Sequence, residues 1–242
     1  MAPRTSNGSE LEEQSKAVLW LKWPVVFLLA GVVAVILFFT LRSRARHHTN
    51  DPDEILRSFD SGLAYEYVEC RASKSRRPYP WPHAKLVELG PRSLPNVINC
   101  YERPFITSRI SKSLLRTRCL EVIVSIGTRE AFYWLGSTLY SADDGTASKI
   151  RMFVDGYRED FTLDIPIEFL ECLSNAVGAN ERGASHLAEL FDSLCRTQFG
   201  EQLKRGKPPA DVSRAMSVWL VAEKEHLVWD ADMATFRHGS RR

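Results

Sequence analysis

The chain has 242 residues, of which 44% are apolar and 26% charged, a balance that excludes wholesale disorder. Thirteen glycines and twelve prolines are too few for a collagenous or low-complexity chain. A formal net charge of +2 excludes a polycation built as a whole to bind nucleic acid.

Residues 1–17 form a polar N-terminal tail. Residues 23–41 (WPVVFLLAGVVAVILFFTL) hold 16 apolar side chains in 19 and no charge. As a helix this run would span about 28 Å, close to the ~30 Å hydrocarbon core. Residues 18–22 can extend it, with Lys22 snorkelling and Trp20 and Trp23 at an interface. The run is long for a signal peptide, and Phe38, Phe39 and Leu41 stand where cleavage wants small residues. The expectation is therefore a single transmembrane helix over 18–41, in an unspecified membrane, with the lipid bilayer as its partner. A basic juxtamembrane linker over 42–53 follows, carrying Arg42, Arg44 and Arg46. This compact cluster favours a cytoplasmic C-terminal domain. The lone N-x-S sequon at Asn7 and five scattered cysteines without a C-x-x-C point the same way.

Residues 54–242 read as one soluble α+β domain, a small antiparallel sheet followed by C-terminal helices. The pattern predicts a short helix over 54–60 capped by Asp51 or Asp53, then a strand over 63–70. Three prolines within 78–82 make that stretch irregular, a rigid loop anchored by Trp81. A helix is expected over 108–118. Strands are expected over 120–126, 131–140, 149–154 and 160–165, the last two joined by a hairpin at Asp155-Gly156. Helices follow over 166–177, 184–199 and 209–236, with a break over 204–208.

Charge is segregated along the domain. Residues 51–70 carry one base and six acids, and residues 119–242 carry 14 bases and 19 acids. Residues 71–118 carry eleven bases against Glu88 and Glu102. Intramolecular ion pairing accounts for such a block most simply. The sharper expectation is contact with an anionic membrane surface by Arg42, Arg44, Arg46, Arg109, Lys112, Arg116 and Arg118. Nucleic acid ranks lowest, since no reader motif accompanies the bases.

Phosphate-binding glycine loops and nucleophile elbows are absent, and nothing calls for a cofactor or a metal. A single E-x-x-H at Glu223 and His226 falls short of a di-iron set, and His186 and Glu189 read as ordinary helix surface. Cys100 or Cys172 with His83 or His186 is the candidate nucleophile pairing. The function expected is an accessory, assembly or adaptor protein that binds protein partners. The alternative is a membrane-tethered hydrolase or transferase with a Cys/His or carboxylate site.

Overall fold

Side-chain caps mark where four of the described helices begin. In the computed structural model, which describes residues 28–37, 49–61, 66–105 and 110–239, Asp51 caps α2 (Pro52–Arg57) by accepting from the amide of Asp53. Ser111 caps α5 (Lys112–Ile126), Thr128 caps α6 (Arg129–Leu139) and Asp143 caps α7 (Asp144–Tyr157). Each of these three accepts from the amide three residues on, satisfying a donor the helix itself cannot. Before them come β1 (Tyr67–Glu69), β2 (Pro78–Pro80), α3 (Trp81–Leu89) and α4 (Leu94–Glu102). After them come α8 (Ile167–Ala179), α9 (Ala184–Cys195), α10 (Phe199–Lys204) and α11 (Pro209–Glu223). The chain closes with β3 (Leu227–Asp230) and β4 (Thr235–His238).

The fold is mostly helical, which corrects the α+β expectation. The described strands form two separate two-stranded antiparallel hairpins. Tyr67 faces Pro80 in the first, and Leu227 faces His238 in the second. The expected strands over 120–126 and 131–140 are the second half of α5 and the body of α6. A short apolar run cannot distinguish a buried strand from a buried helix. Here the Ser111 cap and the terminating Gly127 enclose one continuous fifteen-residue helix, buried almost all round in its second half. The expected hairpin at Asp155-Gly156 lies inside α7, whose buried Ala147, Ile150 and Val154 repeat at helical spacing. Residues 162–166 are extended but pair with no strand.

The chain divides into two units, residues 1–49 and 50–242. In the first, the described helix, α1, covers residues 28–37. No helix among the described residues is long and apolar enough to cross a membrane. This overturns the expected spanning helix over 18–41, and with it the single-pass location and the orientation inferred from it. Hydropathy measures what a helix over that run could span; among the described residues of the run, 28–37 are helical. Residues 18–27 and 38–41 lie outside the described residues, as do Arg42, Arg44 and Arg46 of the expected linker.

Within the second unit two helices organise the core. Helix α5 packs against α3, α4, α6 and α7, while α8 packs against α6, α9 and α11. Gly127 ends α5 in the left-handed conformation, at φ 67°. A Cβ there would come within 2.8 Å of the carbonyl oxygen of Thr162. The Gly127 carbonyl in turn accepts from the amide of Asp164 at 2.7 Å, tying α5 to the extended segment before α8. Left-handed strain and a backbone clash both oppose a side chain. Gly127→Ala should therefore lower stability by about 2–4 kcal/mol. Urea denaturation followed by far-ultraviolet circular dichroism measures this, and an unchanged midpoint would contradict it.

Candidate functional site

The expected site residues are scattered. Arg109 lies outside the described residues. Lys112 is exposed at the start of α5. Arg116 donates to the carbonyl of Tyr101 at 3.0 Å and lies over that ring, and Arg118 pairs with Glu121 at 2.9 Å. Two of these three described bases are thus engaged within the domain.

The candidate catalytic pairs do not assemble as expected. His186 faces Asp144 at 3.6 Å, while Glu189 pairs with Arg151 and Lys204. Glu223 faces His238 at 3.4 Å rather than His226. Cys172 packs against Gly136, and burial raises its thiol pKa. Burial likewise pushes up the thiols of Cys70 and Cys195. A raised thiol is mostly protonated at neutral pH and a poor nucleophile. Among the described residues no group of histidine, cysteine, aspartate and glutamate could hold a metal ion.

His83 sits at the bottom of a buried aromatic nest. It has no solvent exposure, and its ring stacks on Tyr79 with 5.0 Å between centroids. Tyr157 and Phe161 close around it. Neither ring nitrogen has a hydrogen-bond partner. The hydroxyls of the surrounding tyrosines are used elsewhere. Tyr79 donates to Asp160 at 2.9 Å, and Tyr157 donates to Glu121. Burial, followed by repulsion from the adjacent carboxylates, holds both phenols protonated. Burial also depresses the His83 imidazole to about 4, against a weaker pull upward from Glu121.

Asp160 links this nest to the surface. Its carboxylate also meets Arg77 at 3.3 Å, and its carbonyl accepts from the amide of Lys74 at 2.6 Å. Beside it opens a pocket of about 520 Å³. The pocket is formed by Lys74 in the β1–β2 loop, Arg158 and Glu159 after α7, Ser193 and Arg196 at the end of α9, and residues 232–235 of the β3–β4 turn. Thr235 fixes that turn by donating to the carbonyl of Leu194 at 2.6 Å. Sequence reasoning passed over this pocket because its parts are charged loop residues from four separate stretches.

A second feature is a helical layer. Gly136 of α6 lies against Cys172 and Phe169 of α8. On the other flank of α8, Ser174 bonds to Ser217 at 2.8 Å, Gly178 abuts Ser213, and Glu171 pairs with Lys224. Helix α8 therefore lies between α6 and α11, with Glu168, Cys172 and Asn175 along its outward side. Four large side chains of the flanking helices are exposed: Tyr133 of α6 and Tyr140 at its end, 47% and 45%, and Val218 and Val221 of α11, 67% and 81%.

No family model, curated protein or solved structure was found to match the chain.

The His83 geometry has a pH consequence. Unfolded histidine takes a proton below about pH 6.5, whereas buried His83 resists until about 4. Its neutral burial therefore holds above pH 6.5, and stability falls as pH drops through the window from 6.5 to 4. The loss should approach about 3 kcal/mol by pH 4. His83→Phe should remove that part of the dependence, measurable as the difference between urea midpoints at pH 7 and pH 4.5. Equal slopes in both proteins would contradict it.

Proposed function

We propose that residues 50–239 form an accessory or adaptor module that binds a protein partner across the α6–α8–α11 layer. The observation that supports this reading is the set of four large side chains projecting from the two outer helices around a central helix that contributes little apolar bulk. Isolated exposed apolar residues are ordinary, but a grouped set on one layer is what a partner can cover. The occupant favoured is a segment carrying basic residues beside apolar ones. The argument is charge complementarity: Glu130 and Glu168 are exposed on α6 and α8, and neither is held in an ion pair among the described residues. Each leaves a carboxylate available to a partner's lysine or arginine. Two stackable phenol rings on α6 add the aromatic anchoring common at interface centres.

The enzyme alternative draws no support from a converged set of reactive groups. His83 is sealed among aromatic rings, and the described thiols with a resolved environment other than Cys100 are raised.

The test compares affinity purification of the tagged full chain with that of a Val218→Glu/Val221→Glu variant and a Lys207→Ala control. A stoichiometric partner kept by the wild type and the control, but reduced at least tenfold in the double variant, is the expected result. Cross-linking should then map the contact to a segment with basic and apolar side chains together. Because both valines are exposed, the variant should melt within a few degrees of the wild type. Retention of the partner by the double variant, or no stoichiometric partner at all, would overturn the reading.

A further inference from the structure

We propose that the pocket between the ends of α7 and α9 and the C-terminal hairpin binds a phosphate group carried on a polar ligand. This goes beyond partner binding by the helical layer and rests on separate residues.

Three cations reach the pocket from three elements: Lys74, Arg158 and Arg196. Their existing bonds differ. Arg158 is committed, donating to the Ser193 carbonyl at 3.2 Å and hydroxyl at 2.8 Å. It also pairs with Asp155 at 3.8 Å and steadies the pocket wall. Lys74 makes one long contact, 3.5 Å to the Ala231 carbonyl, so its ammonium can turn to a ligand. Arg196 makes no hydrogen bond or ion pair among the described residues. An arginine at a helix C-terminus commonly bonds the last carbonyls. Arg196 bonds none of them, so capping does not account for its place.

The backbone holds Arg196 at a cost. It ends α9 at φ 56° and ψ 39°, the left-handed conformation that favours glycine. Across the pocket Ala234 is also left-handed, at φ 47°. Two of the three described non-glycine residues with positive φ therefore face the same cavity. Strain of this kind persists where the surrounding structure over-determines it and gathers at ligand sites. Here Thr235 supplies the determination, through its bond to the Leu194 carbonyl of α9.

The chemistry favours phosphate over a carboxylate. Three cationic groups from different directions can each meet one of three terminal phosphate oxygens, whereas a carboxylate presents two. The same pocket carries Glu159 and Asp232, neither in an ion pair among the described residues. They would repel a bare anion and accept hydrogen bonds from donors elsewhere on the ligand. A phosphate ester with amide, hydroxyl or amine groups satisfies both sets. The volume, about 520 Å³, lies within the range of small-ligand pockets. Both a phosphorylated small molecule and a phosphorylated side chain offer this chemistry.

Isothermal titration calorimetry of the full chain at low salt, with sodium phosphate, adenosine monophosphate, a phosphoserine peptide and acetate as probes, tests the assignment. At least one ester should bind ten times more tightly than inorganic phosphate. Preference for the nucleotide identifies a small-molecule source, and preference for the peptide identifies a modified protein. Arg196→Gly is the decisive variant, because glycine suits the left-handed backbone and keeps the fold while removing the guanidinium. It should melt no lower than the wild type and bind the preferred ester at least tenfold more weakly, as should Lys74→Ala. Val218→Glu/Val221→Glu should bind the ester as the wild type does, which separates this site from the helical layer. No saturable binding below 10 mM, acetate binding as tightly as the esters, or unchanged binding by Arg196→Gly would overturn the proposal.

Discussion

The second half of α5 must be buried on every side, and the rest of the domain is arranged to permit it. Leu120, Val122, Ile123, Val124 and Ile126 all lie in the core. A helix with no solvent face cannot leave polar groups unsatisfied. Ser125 answers this by donating to the carbonyl of Glu121, and Glu121 is held by Arg118 and Tyr157. These bonds bring α7 against α5 and set Tyr157 over His83. The aromatic nest is thus a consequence of burying one helix completely.

From that nest the constraint passes outward to the pocket. Tyr79 holds Asp160, the Asp160 carbonyl holds the Lys74 amide, and Lys74 reaches the C-terminal hairpin. The hairpin is tied independently to α9 through Thr235 and to the segment before α8 through Trp229, which donates to the Leu163 carbonyl at 2.6 Å. A short two-stranded hairpin is marginal by itself. These two bonds and the buried Phe236 hold it in place. The pocket walls are therefore fixed by packing, although every charged group that lines them comes from a loop or a helix end.

The helical layer follows a different logic. Gly136 and Gly178 let α6 and α11 approach α8 closely, since a Cβ at either would fall within 3.0 Å of a side-chain atom on the neighbouring helix. Close approach on both flanks narrows the outward strip of α8. The larger residues of α6 and α11 then stand above it. The hydroxyl-rich seam of Ser174, Ser213 and Ser217 satisfies its own hydrogen bonds between α8 and α11. The layer is held from beneath and leaves its apolar side chains to the surface.

The sequence alone determined what is local. Asp51 was one of the two caps expected, the short helix after it was foreseen, and the helices over 166–177 and 184–199 appeared near their observed places; the helix expected over 209–236 ends at Glu223, and its remainder is a 3-10 turn and the β3–β4 hairpin. Trp81 was legible as a buried anchor, but the irregular loop expected over 78–82 is instead β2 and the first turn of α3. Each depends on neighbours within a few residues. The centre of the chain was not legible in this way. The apolar run over 120–126 is compatible with a strand or a helix by itself; the Ser111 cap, the terminating Gly127 and packing against α3, α4, α6 and α7 together make it a helix. Asp155-Gly156 favours a turn locally, yet α7 runs through it because Ala147, Ile150 and Val154 are buried on one side. The apolar run near the N-terminus shows the converse. Its composition suits a membrane, yet among the described residues no helix is long and apolar enough to cross one. The pocket was decided by tertiary structure alone. Lys74, Arg158, Arg196 and Asp232 lie far apart along the chain, and no local pattern encodes a charge cluster that exists only after α7, α9 and the C-terminal hairpin have packed.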